Sequence, residues 1–266
     1  MNTLIAPHNE PKAAEHYIEF RNVCKEFDGH VVLDNVSFFV DRGETCVILG
    51  RSGVGKSVTL KHIMGFLRPD SGQVLVDGQD ITHWTEEQLV QIRLRVTMVF
   101  QSGALFDSLT VAENIAFPLE DRKDMSEEQK DERVAELAEM LEVTQVLDKV
   151  PSELSTGTKR AVAIARALAQ DPEAILYDEP TTMVDPIMAT HTGKLILRLK
   201  EKFHKTSIVV THDTHLAKKL ADRVIFLHDG LVSYFGPWAG FEAAPEPFLQ
   251  NFRRQDELIP ELDVTS

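Results

Sequence analysis

The chain has 266 residues, 43% hydrophobic and 26% charged, enough for one large buried core or a core with an appended lobe. Its net charge of −14, from 28 Lys+Arg against 42 Asp+Glu, repels nucleic acid and anionic lipid, so neither is expected as a direct partner through charge. No apolar run reaches the roughly 18 residues of a membrane span, and Met1–His8 has neither the basic nor the apolar region of a signal peptide. Because a surface this acidic is repelled by anionic lipid, any membrane role is expected to run through an integral membrane protein.

Residues up to about Glu15 are polar and Pro-containing and read as a loose leader, residues 1–16. Tyr17–Val23 alternates as a strand does, and so does Val31–Val40, with the turn Asp28-Gly29 between them. Two cysteines, Cys24 and Cys46, make neither a disulfide framework nor a metal site and read as small apolar fillers. The apolar run Thr45–Leu49 predicts a buried strand and Val58–Ile63 a helix. Between them stands Gly50-Arg51-Ser52-Gly53-Val54-Gly55-Lys56-Ser57. Strand, glycine-rich loop and helix make the context of a phosphate-binding P-loop. The glycines let backbone N–H groups converge on phosphates, and Lys56 adds a charge near the β- and γ-phosphates. Ser57 offers a hydroxyl to Mg²⁺, and the helix start running into Val58 favours the anion. This stretch predicts binding of a nucleoside triphosphate with magnesium.

Gln73–Val76, ending at the turn Asp77-Gly78, adds a third strand to a small antiparallel layer beside that site, and Thr85-Glu86-Glu87-Gln88 is a helix capping box. Val96–Phe100, Ala174–Tyr177, Ser207–Thr211 and Val224–Leu227 are short and continuously apolar, spaced by helical segments, which predicts a parallel sheet buried on both faces. Asp229-Gly230 then turns the chain into a last hairpin strand, Leu231–Phe235. Between 105 and 170 the pattern is helical: Ser126-Glu127-Glu128-Gln129 is a second capping box, followed by Val134, Leu137, Ala138 and Leu141 on one face. Arg160–Ala169 is alanine-rich and also helical. A helical lobe inserted into an α/β core is therefore expected.

Ala174–Tyr177 runs into Asp178-Glu179. Beside a P-loop, the strand-end Asp178 is placed to hold Mg²⁺ and Glu179 to polarise the attacking water. Gln101, at the end of another strand, can reach metal or water, though alone it would read as a surface glutamine. His212 sits at the end of Ser207–Thr211, facing the same crevice. Asp185 before Pro186 reads as a helix N-cap with Pro in the first turn. Leu154-Ser155-Thr156-Gly157-Thr158 starts a helix. In isolation it is a plain cap, and its Ser155 and free N–H groups also suit a second phosphate contact.

Gly50–Ser57, Gln101, Leu154–Thr158, Asp178-Glu179, Asp185 and His212 stand in the order and at the intervals of an ABC transporter nucleotide-binding subunit, which residues 17–235 resemble. The resemblance implies a P-loop NTPase (RecA-like) α/β core with an antiparallel β subdomain and an inserted helical subdomain at about 105–170, followed by a C-terminal extension, 236–266. It implies ATP and Mg²⁺ as cofactors, with Asp178, Ser57 and Gln101 at the metal, Glu179 as catalytic base and His212 as the γ-phosphate sensor. Phe27 matches the aromatic residue that stacks on adenine, and Asp185 the D-loop residue. Two subunits of that family sandwich two ATPs head to tail, with Ser155 and Gly157 reaching the partner's γ-phosphate, which implies a homodimer.

Phe100–Val111 together with Asn114–Leu119 is similar to the ATPases of the Mla/Mce-associated systems, the MlaF group, which move phospholipid between bacterial membranes. That resemblance implies an MlaE-like integral membrane permease, an Mce-domain (MlaD-like) protein and a small STAS-domain (MlaB-like) protein as partners. It also implies a peripheral position on the cytoplasmic face of the bacterial inner membrane, and a tail around Phe248–Phe252 that contacts neighbouring subunits. Ala104, Leu105 and Phe106 would form an apolar groove for a permease helix, or else pack the two lobes together. Three departures stand out: Thr156 at a usual glycine, Thr158 at a usual Gln or Met, and Met183-Val184 before Asp185. A β-branched Thr156 is expected to limit backbone approach to phosphate and slow hydrolysis. A transporter subunit for another solute, and a soluble non-transport ATPase of the same type, are the alternatives.

Overall fold

Three Asp-Gly pairs set the outline of the fold. Asp28-Gly29, Asp77-Gly78 and Asp229-Gly230 each place two consecutive residues at positive φ, between 48° and 81°, the geometry that lets a two-residue turn follow the twist of its strands. The computed structural model describes residues 16–257. The expected leader, except for His16, and the end of the C-terminal extension lie outside the described residues.

In chain order, β1 (Ile18–Phe27) and β2 (His30–Val40) form the first hairpin, and β3 (Thr45–Leu49) leads through the glycine loop into α1 (Lys56–Ile63). β4 (Ser71–Val76) and β5 (Gln79–Asp80) follow, then α2 (Glu86–Arg95) and β6 (Val96–Val99). The inserted lobe contains α3 (Val111–Ala116), α4 (Glu127–Met140) and α5 (Thr156–Leu168). β7 (Ala174–Asp178), α6 (Pro186–Phe203), β8 (Thr206–Thr211), α7 (Thr214–Leu220), β9 (Arg223–His228) and β10 (Leu231–Gly236) complete the core, and α8 (Trp238–Ala243) and α9 (Pro247–Glu257) close the described chain. Both expected capping boxes are formed, at Thr85/Gln88 and Ser126/Gln129, and a third at Thr110/Glu113 starts α3.

One sheet is antiparallel, in the order β2-β1-β4-β5; the other runs β10-β9-β3-β8-β7-β6 and is parallel except for β10. The parallel strands are apolar without alternation because both faces are covered. Val47 and Leu49 of β3 pack in one core with the inserted lobe, while Cys46 and Ile48 pack in another with the antiparallel sheet. Ile175 and Tyr177 against Ala174 and Leu176 repeat that division on β7. Each fully buried aliphatic side chain contributes about 1.5–3 kcal/mol, so the central strands anchor everything mounted on their ends.

At the N-terminal edge of the parallel sheet an ion network ties it to the β4–β5 turn. Arg95 Nε donates to Glu173 Oε1 at 2.7 Å and Arg42 Nη1 to Glu173 Oε2 at 3.1 Å, and both arginines also pair with Asp77. Arg42 lies 4.6 Å over the ring of Tyr17. On the far side of the core, α8 and α9 bury Phe241, Leu249 and Phe252 beside Phe226, whose ring centroid is 4.9 Å from that of Phe252. Among the described residues no helix is long and apolar enough to cross a membrane.

Candidate functional site: a phosphate cleft at the strand ends

Because β3, β8, β7 and β6 are neighbours in that order and all parallel, their C-terminal ends bring four distant segments together: Gly50–Ser57, His212, Asp178-Glu179 and Gln101. They border a cleft of about 290 Å³, with Ser52, Gly53, Gly55 and Lys56–Val58 on one side and Gln101, Glu179, Thr182 and His212 on the other. The loop tolerates no side chain where it meets the core. A Cβ on Gly50 would lie 2.5 Å from the Leu227 carbonyl oxygen. One on Gly55, at φ 100°, would lie 2.7 Å from Leu33 and 3.0 Å from the Val32 carbonyl.

Lys56 is buried, and its Nζ donates to the carbonyls of Gly50 at 2.8 Å and Arg51 at 3.1 Å and pairs with Glu179 Oε1 at 3.1 Å. Ser57 Oγ donates to Asp178 Oδ1 at 2.7 Å. Burial pushes the Asp178 carboxyl up, and the Ser57 hydrogen bond opposes it. A hydroxyl and a carboxylate side by side, with the Gln101 amide across the cleft, are hard oxygen donors. They are donors of the kind that a Mg²⁺ would take beside phosphate and water.

Glu179 follows β7 in the left-handed region, φ 47°, with its N–H donated to the Val210 carbonyl at 2.9 Å. Its Oε2 accepts from Thr182 Oγ1 at 2.9 Å and lies 2.9 Å from His212 Nδ1. Burial alone would raise this carboxyl, but the His212 hydrogen bond, the Lys56 charge and the Thr182 hydroxyl outweigh it and hold the group at about 2.

Ser155, Gly157 and Asp185 do not line this cleft. Ser155 is the exposed N-cap of α5, accepting the Thr158 N–H at 3.1 Å with its hydroxyl 2.8 Å from Thr158 Oγ1. Asp185 caps α6 through the Met188 N–H at 3.0 Å, with Pro186 in the first turn. Gly157 is buried under Met188, whose Cε would sit 1.9 Å from a Cβ placed there, whereas Thr156 is exposed. Phe27 ends β1, 39% exposed, with Lys25 Nζ 5.3 Å above its ring, also outside the cleft lining.

Two residues that the sequence did not single out take part in this arrangement. Thr182 donates to the Glu179 carboxylate, and Arg160, on α5 and only 4% exposed, donates Nη1 to the Glu179 carbonyl at 2.9 Å and Nη2 to the Thr182 carbonyl. The available signal for Arg160 was a charge on the buried face of an alanine-rich helix.

The sequence pattern of the ABC transporter family matches residues 33–182, more than half of the chain. The chain belongs to the ABC transporter family of ATP-binding proteins. It is 35% identical over 264 residues to the methionine import ATP-binding protein MetN of Brucella abortus, covering 98% of this chain and 70% of that one. It is 34% identical over 243 residues to the probable ribonucleotide transport ATP-binding protein mkl of Mycobacterium leprae, covering 91% and 70%. The dimeric ATP-binding cassette MJ0796, solved with ADP and Pi in a post-hydrolysis state, superposes with a TM-score of 0.75 at 34% identity, over 83% of this chain and 98% of that one. cbiO1 from Clostridium perfringens, part of the transporter complex cbiONQ, gives 0.79 at 27% identity over 92% and 98%. This cassette is an ATPase that uses ATP with Mg²⁺, and cassettes of its family work as dimers with membrane permeases.

Proposed function

We propose that the chain is the ATPase subunit of a transporter that moves phospholipid between bacterial membranes, bound at the cytoplasmic face of the inner membrane through an MlaE-like permease. An Mce-domain protein and a STAS-domain protein belong to the same complex in this reading. Residues 17–235 form the ATPase domain and 236–266 its extension. The observation that carries the reading is the loop after Gln101. Phe106 and Phe117 are 42% and 41% exposed, with ring centroids 4.4 Å apart, in the segment whose sequence resembles the MlaF group. Two half-exposed aromatic rings in contact with each other are suited to seat an apolar helix of a permease.

In the cleft, the backbone of Gly50–Val58 and Lys56 bind the triphosphate, and Phe27 supports the base. Ser57, Asp178 and Gln101 would hold Mg²⁺, which would neutralise phosphate charge. Glu179 accepts the proton of the attacking water, and His212 orients the Glu179 carboxylate through the bond already formed. Ser155, Gly157 and Asp185, which do not line the cleft of their own chain, complete the cleft of a second copy across a twofold axis in this reading.

A second reading is favoured by the curated relatives, whose names point to methionine and to ribonucleotides. Purification of the tagged chain from native membranes, with identification of the bound permease and of its lipids, separates the two. Co-purifying phospholipid and an Mce-domain protein support the first; an amino-acid permease or a solute-binding protein supports the second.

A further inference from the structure

Arg160 is an arginine buried without a carboxylate partner. Its Nη1 and Nη2 are spent on the carbonyls of Glu179 and Thr182, and its Nε has no hydrogen-bond partner. Burial without an ion-pair partner is costly for a guanidinium: desolvation lowers its proton affinity, and the nearby Glu179 charge offsets this only in part. Such a group persists where what it holds would otherwise relax. What it holds is the turn that carries the Glu179 carboxylate. Glu179 and Met183 are both left-handed, at φ 47° and 62°, and the Thr182 N–H closes the turn on the Glu179 carbonyl at 3.2 Å. The Thr182 hydroxyl then steadies the carboxylate itself at 2.9 Å. One turn earlier on α5, Gly157 packs on Met188 of α6, so the first two turns of α5 touch both ends of the segment from Glu179 to Met188.

We propose that Arg160 is a positioning residue for ATP hydrolysis: by gripping the two carbonyls that bracket the turn, it fixes the Glu179 carboxylate over the cleft and joins it rigidly to the helix that begins at Ser155. The inference rests on Glu179 being the base. A carboxylate that drifts by about 1 Å loses up to about 100-fold in rate while substrate binding is untouched.

The test uses the full chain with Mg²⁺ and ATP. Arg160→Met keeps the buried volume and removes the grip; Arg160→Lys keeps a donor able to reach one carbonyl. The expected result is a kcat about 10- to 100-fold lower for Arg160→Met, with KM for ATP and nucleotide affinity within about 2-fold of the parent. Arg160→Lys should recover part of the loss. In a Glu179→Gln background, Arg160→Met should add no further loss, since both act through one carboxylate. Parental kcat in Arg160→Met, or a fall confined to KM, overturns the proposal. So does a second, fully additive loss on top of Glu179→Gln. Parental turnover in Glu179→Gln alone instead overturns the base assignment, whatever Arg160 does.

Discussion

The two edges of the parallel sheet handle buried and half-buried charge in opposite ways. At the N-terminal edge, Arg42, Arg95, Asp77 and Glu173 satisfy one another, two cations against two anions, and the result is a brace between the two sheets. At the C-terminal edge, Lys56 and Glu179 also pair, but each is shared with other groups: Lys56 with the Gly50 and Arg51 carbonyls, Glu179 with Thr182 and His212. The first network is complete in itself. The second is built of groups whose contacts can be traded for phosphate and water, and perturbed carboxyls in a cleft are a mark of function rather than of stability. Asp178 pushed up and Glu179 held down, on adjacent residues, express that division of labour.

The contrast can be broken most directly at Glu179. Glu179→Gln should lower kcat by about 100- to 10,000-fold with ATP binding kept, measured as steady-state turnover beside equilibrium nucleotide binding. Gly55→Ala comes next. Its new methyl meets Leu33 and the Val32 carbonyl at a left-handed position, an overpacking of about 1–3 kcal/mol that should lower Tm in thermal scans and weaken ATP binding by calorimetry. At the opposite edge, Arg95→Ala should lower Tm by a few degrees in thermal scans and leave kcat and KM unchanged. Loss of turnover there would show that the brace reaches the cleft.

Acid should loosen the same brace. The Arg95 hydrogen bonds, with help from Arg42, hold Glu173 at about 2, below its ordinary 4.5. A depressed carboxyl stabilises the folded state above the unfolded value, and the contribution is lost as pH falls from about 4.5 towards about 2. Both partners are partly exposed, so the effect is modest and shrinks with salt. Glu173→Gln should flatten the Tm-against-pH curve over that window. The smallest effect is expected at Phe106→Asp, which should leave ATP turnover of the isolated chain unchanged while reducing co-purification of the membrane partner.

Local chemistry made most of this readable in advance. Asp-Gly turns, the capping residues Thr85 and Ser126, and strand runs ending at Gln101, Asp178 and His212 each carry their meaning within a few residues. The strand order did the rest, because parallel neighbours must bring those ends together. Arg160 was not readable: its partners are 19 and 22 residues away and are backbone carbonyls, which any residue type supplies. The N-terminal brace was hidden for a similar reason. Charges at 42, 77, 95 and 173 look like ordinary solvated ends of elements until the two sheets are stacked. Nor did the tail announce that Phe241, Leu249 and Phe252 are core residues of their own chain, since apolar positions in two short helices carry no partner label.

The close fit of Gly50 beneath the Leu227 carbonyl ties the beginning of the molecule to its end. On a ribosome, the loop is synthesised long before β9 exists to shape it, so a nascent chain halted short of residue 227 has the motif without the mould. Competence to take up nucleotide is therefore expected only once β9 is in place.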